Sequence, residues 1–211
     1  FYAVYGDAEP TVLLLPTWSI VHSRLWKAQI PYLSRHARVV TFDGRGNGRS
    51  DRPAGAGAYT EREFAADALA VLDATATRRA VLVSLSCGAL WATLLAADHP
   101  DRVTGAFYIC PAVGLAPPHP ERAVHSFLEP LDTDEGWAKV NRRYWQRDYP
   151  GFARFFFAAI TSEPHSTKAI EDAAQWAVDG SLDAMLAEAE VPFDLDLEAI
   201  ERICRAVRCP M

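Results

Sequence analysis

The sequence predicts an α/β fold: a mostly parallel sheet with helices on both faces, carrying an inserted helical cap. Three observations predict it. Short β-branched apolar runs alternate with longer segments of helical period through the first half of the chain. One such run, Ala80-Val81-Leu82-Val83, passes through Ser84-Leu85-Ser86-Cys87-Gly88 straight into the apolar, helix-like stretch 89–97. After Pro111 the strand pattern stops and an aromatic, helical pattern takes over.

Taken in order, strands are expected at residues 2–5, 11–15, 37–42, 80–84 and 104–110, with helices at 23–34, 61–74 and 86–98. The 61–74 helix is rich in alanine, and Phe64, Ala68, Leu69 and Leu72 recur at helical spacing as its buried stripe. Prolines then gather at Pro117, Pro118 and Pro120, and helices are expected at 136–147, 151–161, 168–178 and 197–206. This divides the sequence into a sheet core over 1–114, a helical cap over 115–205 and, at 206–211, the start of a strand returning to the core.

Composition narrows the function. A length of 211 residues, 50% of them hydrophobic, is enough to bury one substantial core and fits one domain with a lid. A net charge of -6 and the lack of a basic stripe interleaved with aromatics argue against nucleic acid. No apolar run approaches the roughly 18 residues that span a bilayer, and residues 1–5 lack the charged start and long apolar core of a signal peptide. Cys87, Cys110, Cys204 and Cys209 have neither zinc-like nor disulfide-framework spacing. The expectation is a cytoplasmic protein without metal or organic cofactor, acting on a small molecule.

The chemistry is concentrated in residues 84–88. A strand that turns sharply into a helix is strained and crowded at the tip, so the residues two before and two after it must be small. Ser84 and Gly88 meet that demand and put Ser86 at the tip. Cys87 is a rival nucleophile, because a thiolate at a helix N-terminus has a lowered pKa. Centring the turn on Cys87 would put Leu85 at a position that must be small, so the register favours Ser86.

Together these residues resemble the α/β-hydrolase superfamily, in its capped branch of esterases, epoxide hydrolases, haloperoxidase-like enzymes and related lyases. Four segments carry the resemblance in order. They are the strand and loop Thr11-Val12-Leu13-Leu14-Leu15-Pro16-Thr17-Trp18, and the loop Phe42-Asp43-Gly44-Arg45-Gly46-Asn47-Gly48-Arg49-Ser50-Asp51. The elbow follows, and then Asp98-His99-Pro100-Asp101-Arg102-Val103. The resemblance implies a nucleophilic Ser86 with an oxyanion hole made by the N–H groups of Cys87 and Trp18. It also implies that Asp43 organises its loop. The family's His-Gly in the oxyanion loop is replaced here by Pro16-Thr17; proline has no N–H to give, while the Thr17 hydroxyl offers an extra donor.

In this superfamily an acid and then a histidine follow the serine on later strands, and both are expected beyond Met211, so that the sequence reads as incomplete at its C-terminal end. Of the histidines present, His36 and His99 read as structural, His22 as a pocket-lining candidate, and His119, His125 and His165 as residues in or near the cap. The aromatics Trp137, Tyr144, Trp145, Phe152, Phe155, Phe156, Phe157 and Trp176 read as the cap's own core. Arg45 and Arg49 read as braces for the glycine-rich loop. The expected activity is hydrolysis of a carboxylic ester or related small acyl compound through a Ser86 acyl-enzyme. Two alternatives stand beside it: a non-catalytic sensor or regulatory module of a larger protein, and lyase, C–C hydrolase or perhydrolase chemistry on the same scaffold.

Overall fold

In the computed structural model, which describes residues 1–117, 119–163, 165 and 167–211, five strands form one sheet. They are β1 (Tyr2–Tyr5), β2 (Thr11–Leu14), β3 (Arg38–Phe42), β4 (Ala80–Leu85) and β5 (Val103–Ile109), arranged in the order β1-β3-β2-β4-β5. β1 runs antiparallel to β3, and the other neighbours are parallel. Each strand lies within a residue or two of its expected position. Pro118, part of the expected proline cluster, lies outside the described residues.

Alternation along the strands builds two layers. Leu13, Leu15, Val40 and Leu82 face one cluster, while Val12, Leu14 and Val39 face another that is closed by Trp26. The expected 23–34 helix is instead a 3₁₀ turn, Ser23–Trp26, followed by the short helix α1 (Ile30–Leu33). Pro31 explains the break: it has no N–H, and a helix tolerates it only in the first turn. α2 (Glu61–Ala74) starts as expected, with the Thr60 hydroxyl accepting from the Glu63 N–H at 3.4 Å.

α3 (Gly88–Asp98) is buried from Gly88 through Ala96, because the sheet covers one side and α2 another. Trp91 on α3 stacks on Phe64 of α2 with ring centroids 4.2 Å apart. The helical stretch that follows holds α4 (Pro120–Ala123), a 3₁₀ turn (Gly136–Lys139), α5 (Arg142–Ile160), α6 (Thr167–Asp179), α7 (Leu182–Ala189) and α8 (Leu197–Ala206). The expected 136–147 helix is thus broken at Asn141, whose side chain caps α5 by accepting from the Arg143 N–H at 3.0 Å. α5 is kinked at Asp148, which caps its second half through the Gly151 N–H at 2.8 Å, with Pro150 in the restarted first turn. The 182–189 helix is absent from the expected set. Leu195 and, on α8, Ile200 pack with the sheet-side cluster, α8 lying against α3, and the Ala106 N–H of β5 donates to the Pro210 carbonyl at 2.9 Å.

Candidate active site

At the end of β4, Ser86 adopts φ +51°, one of few residues other than glycine in the left-handed region. Holding it there costs about 1 to 3 kcal/mol, and its neighbours enforce it. The Ser86 N–H donates to Ile109 O at 3.0 Å, while its carbonyl accepts from the N–H groups of Ala89 and Ala112 at 3.0 and 3.1 Å. The end of β5 and the loop after it thereby pin the tip of the turn.

The demand for small residues has a geometric cause. A Cβ on Gly88 would lie 2.3 Å from the Pro16 carbonyl oxygen and 3.6 Å from the Ser84 Cβ, and Ser84 itself is fully buried. The 16–18 loop therefore rests directly on the start of α3. It is tied down from below by the Leu15 N–H, which donates to Val83 O at 2.9 Å. Among the described residues, neither the Trp18 N–H nor the Cys87 N–H donates to a protein atom.

Trp18 turns its ring away into the helical stretch, 5.9 Å from Trp145 and 5.3 Å from Phe156. Trp145 and Phe152 are almost fully buried, and Ile20 and Val21 complete the same cluster. The aromatics expected as a separate core are thus built around Trp18, Ile20 and Val21. Thr17 is also buried, and its Oγ1 has no hydrogen-bond partner among the described residues.

Cys87 sits in ordinary right-handed helical backbone at the N-cap of α3. Burial, followed by the carboxyls of Glu188 and Glu61, pushes its thiol up to about 11. The lowering expected from the helix N-terminus is outweighed. A thiol in this state is protonated at neutral pH.

The Ser86 hydroxyl lies 3.9 Å from Cys87 Sγ, and among the described residues no histidine bonds to it. His22 caps the 3₁₀ turn, its Nδ1 accepting from the Arg24 N–H at 3.3 Å, and lies 5.8 Å from the Trp176 ring. Burial lowers its pKa against the pull of Asp43. His36 packs on Tyr32, His99 ends α3, and His119, His125 and His165 lie along the helical stretch.

Asp43 accepts from the Ser23 N–H at 3.0 Å, the Ser23 hydroxyl at 2.6 Å and the Arg49 N–H at 2.9 Å. Burial pushes its carboxyl up, but these bonds outweigh burial and hold it below its ordinary value. Gly48 crosses so close that a Cβ there would lie 2.2 Å from Asp43 Oδ2. Arg45 braces the loop against α2 through paired bonds to Asp67 at 2.8 and 2.7 Å. Among the described residues, no group of three His, Cys, Asp or Glu side chains converges to hold a metal.

A cavity of about 540 Å³ opens beside the elbow, lined by Cys87, Leu90, Pro111, Leu115 and Phe193, with Glu61 as its charged wall residue. Burial raises the Glu61 pKa against the bond it accepts from Trp91 Nε1. Glu188, on the unforeseen α7, interacts electrostatically with Cys87 and Glu61. The Ser19 N–H donates to its Oε2 at 3.3 Å.

Residues 10–184 match the alpha/beta hydrolase fold family, and the protein belongs to it. A protein from Variovorax paradoxus named as the carbamate hydrolase RutD is 38% identical over 103 residues, which is 48% of this chain and 38% of that protein. Rhodomycin D methylesterase DauP from a Streptomyces species is 38% identical over 103 residues, 46% of this chain and 34% of its own length. Epoxide hydrolase B of Mycobacterium tuberculosis is 37% identical over 100 residues, 47% of this chain and 26% of its own length. The matched stretch spans less than half of each of these relatives.

Solved structures share the fold. An enzyme that degrades N-acyl homoserine lactones superposes with TM-score 0.76 at 24% identity, covering 100% of this chain and 75% of the other. A bromoperoxidase from Bacillus anthracis does so with TM-score 0.75 at 19% identity, covering 99% and 74%. No helix among the described residues is long and apolar enough to cross a membrane.

Proposed function

We propose that the protein is a serine hydrolase that cleaves a carboxylic ester or related small acyl substrate through a Ser86 acyl-enzyme. The observation that carries this reading is Ser86 at φ +51° on the turn between β4 and α3. A residue other than glycine is kept in that backbone only when its surroundings impose it, and such strain gathers at active sites.

In the proposed reaction Ser86 Oγ forms a bond to the substrate carbonyl carbon as its proton passes to a base. The tetrahedral oxyanion then collapses, the alcohol leaves, and water releases the acid from the ester on Ser86. The Cys87 and Trp18 N–H groups would stabilise the oxyanion. Each such donor contributes about 3 to 4 kcal/mol in the transition state. The helical stretch 115–205 acts as a cap whose aromatic cluster holds the Trp18 loop, and the apolar cavity beside Cys87 suits an uncharged acyl group. The names of the methylesterase and of the lactone-degrading enzyme point to the same class of bond.

Pre-steady-state turnover of p-nitrophenyl acetate tests this in the protein expressed from its own gene. A burst of one nitrophenol per Ser86, lost in Ser86→Ala, is the expected result. Equal turnover by wild type and Ser86→Ala would remove the acyl-enzyme.

A further inference from the structure

Glu188 is a partly buried carboxyl that acyl transfer at Ser86 does not require, yet it touches the 16–19 loop. α7 begins at Ser181, whose hydroxyl accepts from the Ala184 N–H at 3.2 Å. Ala184 packs on the glycine-rich loop so tightly that a Cβ on Gly46 would lie 2.8 Å from its own Cβ. One turn later on the same face, Glu188 accepts the Ser19 N–H at 3.3 Å. The Ser19 carbonyl accepts from Asn47 Nδ2 at 2.6 Å, and both Ser19 and Asn47 are buried. The amide and the carbonyl of Ser19 are thus held from two different elements. Ser19 follows Trp18 directly, so holding its amide fixes the Trp18–Ser19 peptide plane, whose carbonyl accepts from the Val21 N–H at 3.3 Å, and leaves the loop that carries Trp18 little room to shift.

We propose that Glu188 is a positioning residue for acyl transfer: with Asn47 it clamps Ser19, and so holds the loop that carries the Trp18 N–H in place only while α7 is docked on the glycine-rich loop. This rests on the Ser86 acyl-enzyme reading above. It makes closure of the helical stretch and assembly of the oxyanion hole a single event, because the same carboxyl belongs to both.

The surroundings of Glu188 give the clamp a pH dependence. Facing it are Glu61 from α2, Cys87 from the elbow, Tyr149 from α5 and Tyr59 from the 3₁₀ turn Ala56–Tyr59. Among the described residues, no Lys, Arg or His forms an ion pair with it. Burial, with Glu61 adding to it, pushes Glu188 up to about 8 against the bond from the Ser19 N–H. The acid is therefore mostly neutral at pH 7 and ionises as pH rises through about 8. A neutral carboxyl leaves the developing oxyanion unopposed, whereas a carboxylate beside it raises the barrier.

The test compares wild type, Glu188→Gln, Glu188→Ala and Ser86→Ala, all in the protein expressed from its own gene, for kcat and KM on p-nitrophenyl acetate from about pH 6 to 10. Glu188→Ala is expected to lose about 100-fold in kcat, the cost of a misplaced catalytic group, with KM little changed. Glu188→Gln still accepts the Ser19 N–H and recovers most of the rate. It also lacks the fall in activity that wild type shows above about pH 8.

Wild-type kcat in Glu188→Ala, a Gln variant as slow as Ala, or an alkaline fall unchanged in Gln would each overturn the proposal. Independently of turnover, hydrogen exchange at the Ser19 amide is expected to accelerate in Glu188→Ala, and unchanged exchange also overturns it. Full activity in Ser86→Ala would instead remove the acyl-enzyme reading on which the clamp's purpose rests.

Discussion

Replacing Gly88 with alanine puts a Cβ 2.3 Å from the Pro16 carbonyl oxygen, about 1 Å inside the separation of about 3.3 Å at which carbon and oxygen touch. Neither side yields easily. Pro16 and Gly88 are both buried, α3 is wedged between the sheet and α2, and the obstructing atom is backbone rather than the end of a flexible side chain. Overpacking of this kind costs about 1 to 3 kcal/mol, a factor of about 5 to 150 in the folding equilibrium.

The relief that is available moves the 16–18 loop away from the elbow. A shift of about 1 Å there should cost a further 100-fold in rate. Urea unfolding followed by tryptophan fluorescence measures the first effect, and acylation kinetics measure the second. Gly57→Ala is the control, since a Cβ there meets nothing within 4 Å, and it should leave the urea midpoint within the small effects typical of open sites. If Gly88→Ala unfolds at the same urea concentration as Gly57→Ala, the close crossing of loop and helix does not exist as described and the steric explanation of the elbow fails with it.

Phe152→Ala should cost about 3 to 5 kcal/mol, the usual range for a buried aromatic. Because Phe152 lies 6.2 Å from Trp18, it should also change the Trp18 emission; a variant with wild-type stability and spectrum would argue against a shared aromatic cluster. Asp43→Asn probes the glycine-rich loop through its pH dependence. The folded Asp43 carboxyl is held below its ordinary value of 3.8, so its stabilising contribution is present above that pH and is lost as pH falls through the lower folded value. Urea midpoints should therefore drop less on acidification to about pH 3 in Asp43→Asn than in wild type, and parallel pH profiles would contradict the bonding found around Asp43.

The strands could be read from the sequence because β-branched apolar runs bounded by turns have few other solutions, and they fall within a residue or two of their expected places. The elbow was equally legible, since its steric demands are written in residue size: Ser84 and Gly88 are small because the Pro16 carbonyl and the strand end leave no room. The break in the 23–34 helix was also visible in principle, at Pro31. Two features depended on contacts distant in sequence. Trp18 reads as a loop residue, and nothing nearby says that its ring belongs with Trp145, Phe152 and Phe156.

Glu188 lies in an alanine- and glutamate-rich stretch whose pattern suggests a solvated face, and only the packing of Ala184 on Gly46 turns that face inward. Ser181 with Asp183 two residues later was the available signal for the start of α7. For Cys87, residue size alone decided the register, and the electrostatics were not legible. A helix N-terminus favours its thiolate, but burial and two carboxyls outweigh that influence.

The most direct test of the account is the site of covalent capture. A fluorophosphonate is incubated with the protein expressed from its own gene, and the labelled peptide is sequenced by mass spectrometry. The account predicts a single phosphonylated residue, Ser86, with labelling abolished in Ser86→Ala and retained in Cys87→Ala. An adduct on Cys87, or labelling that survives Ser86→Ala, would contradict it.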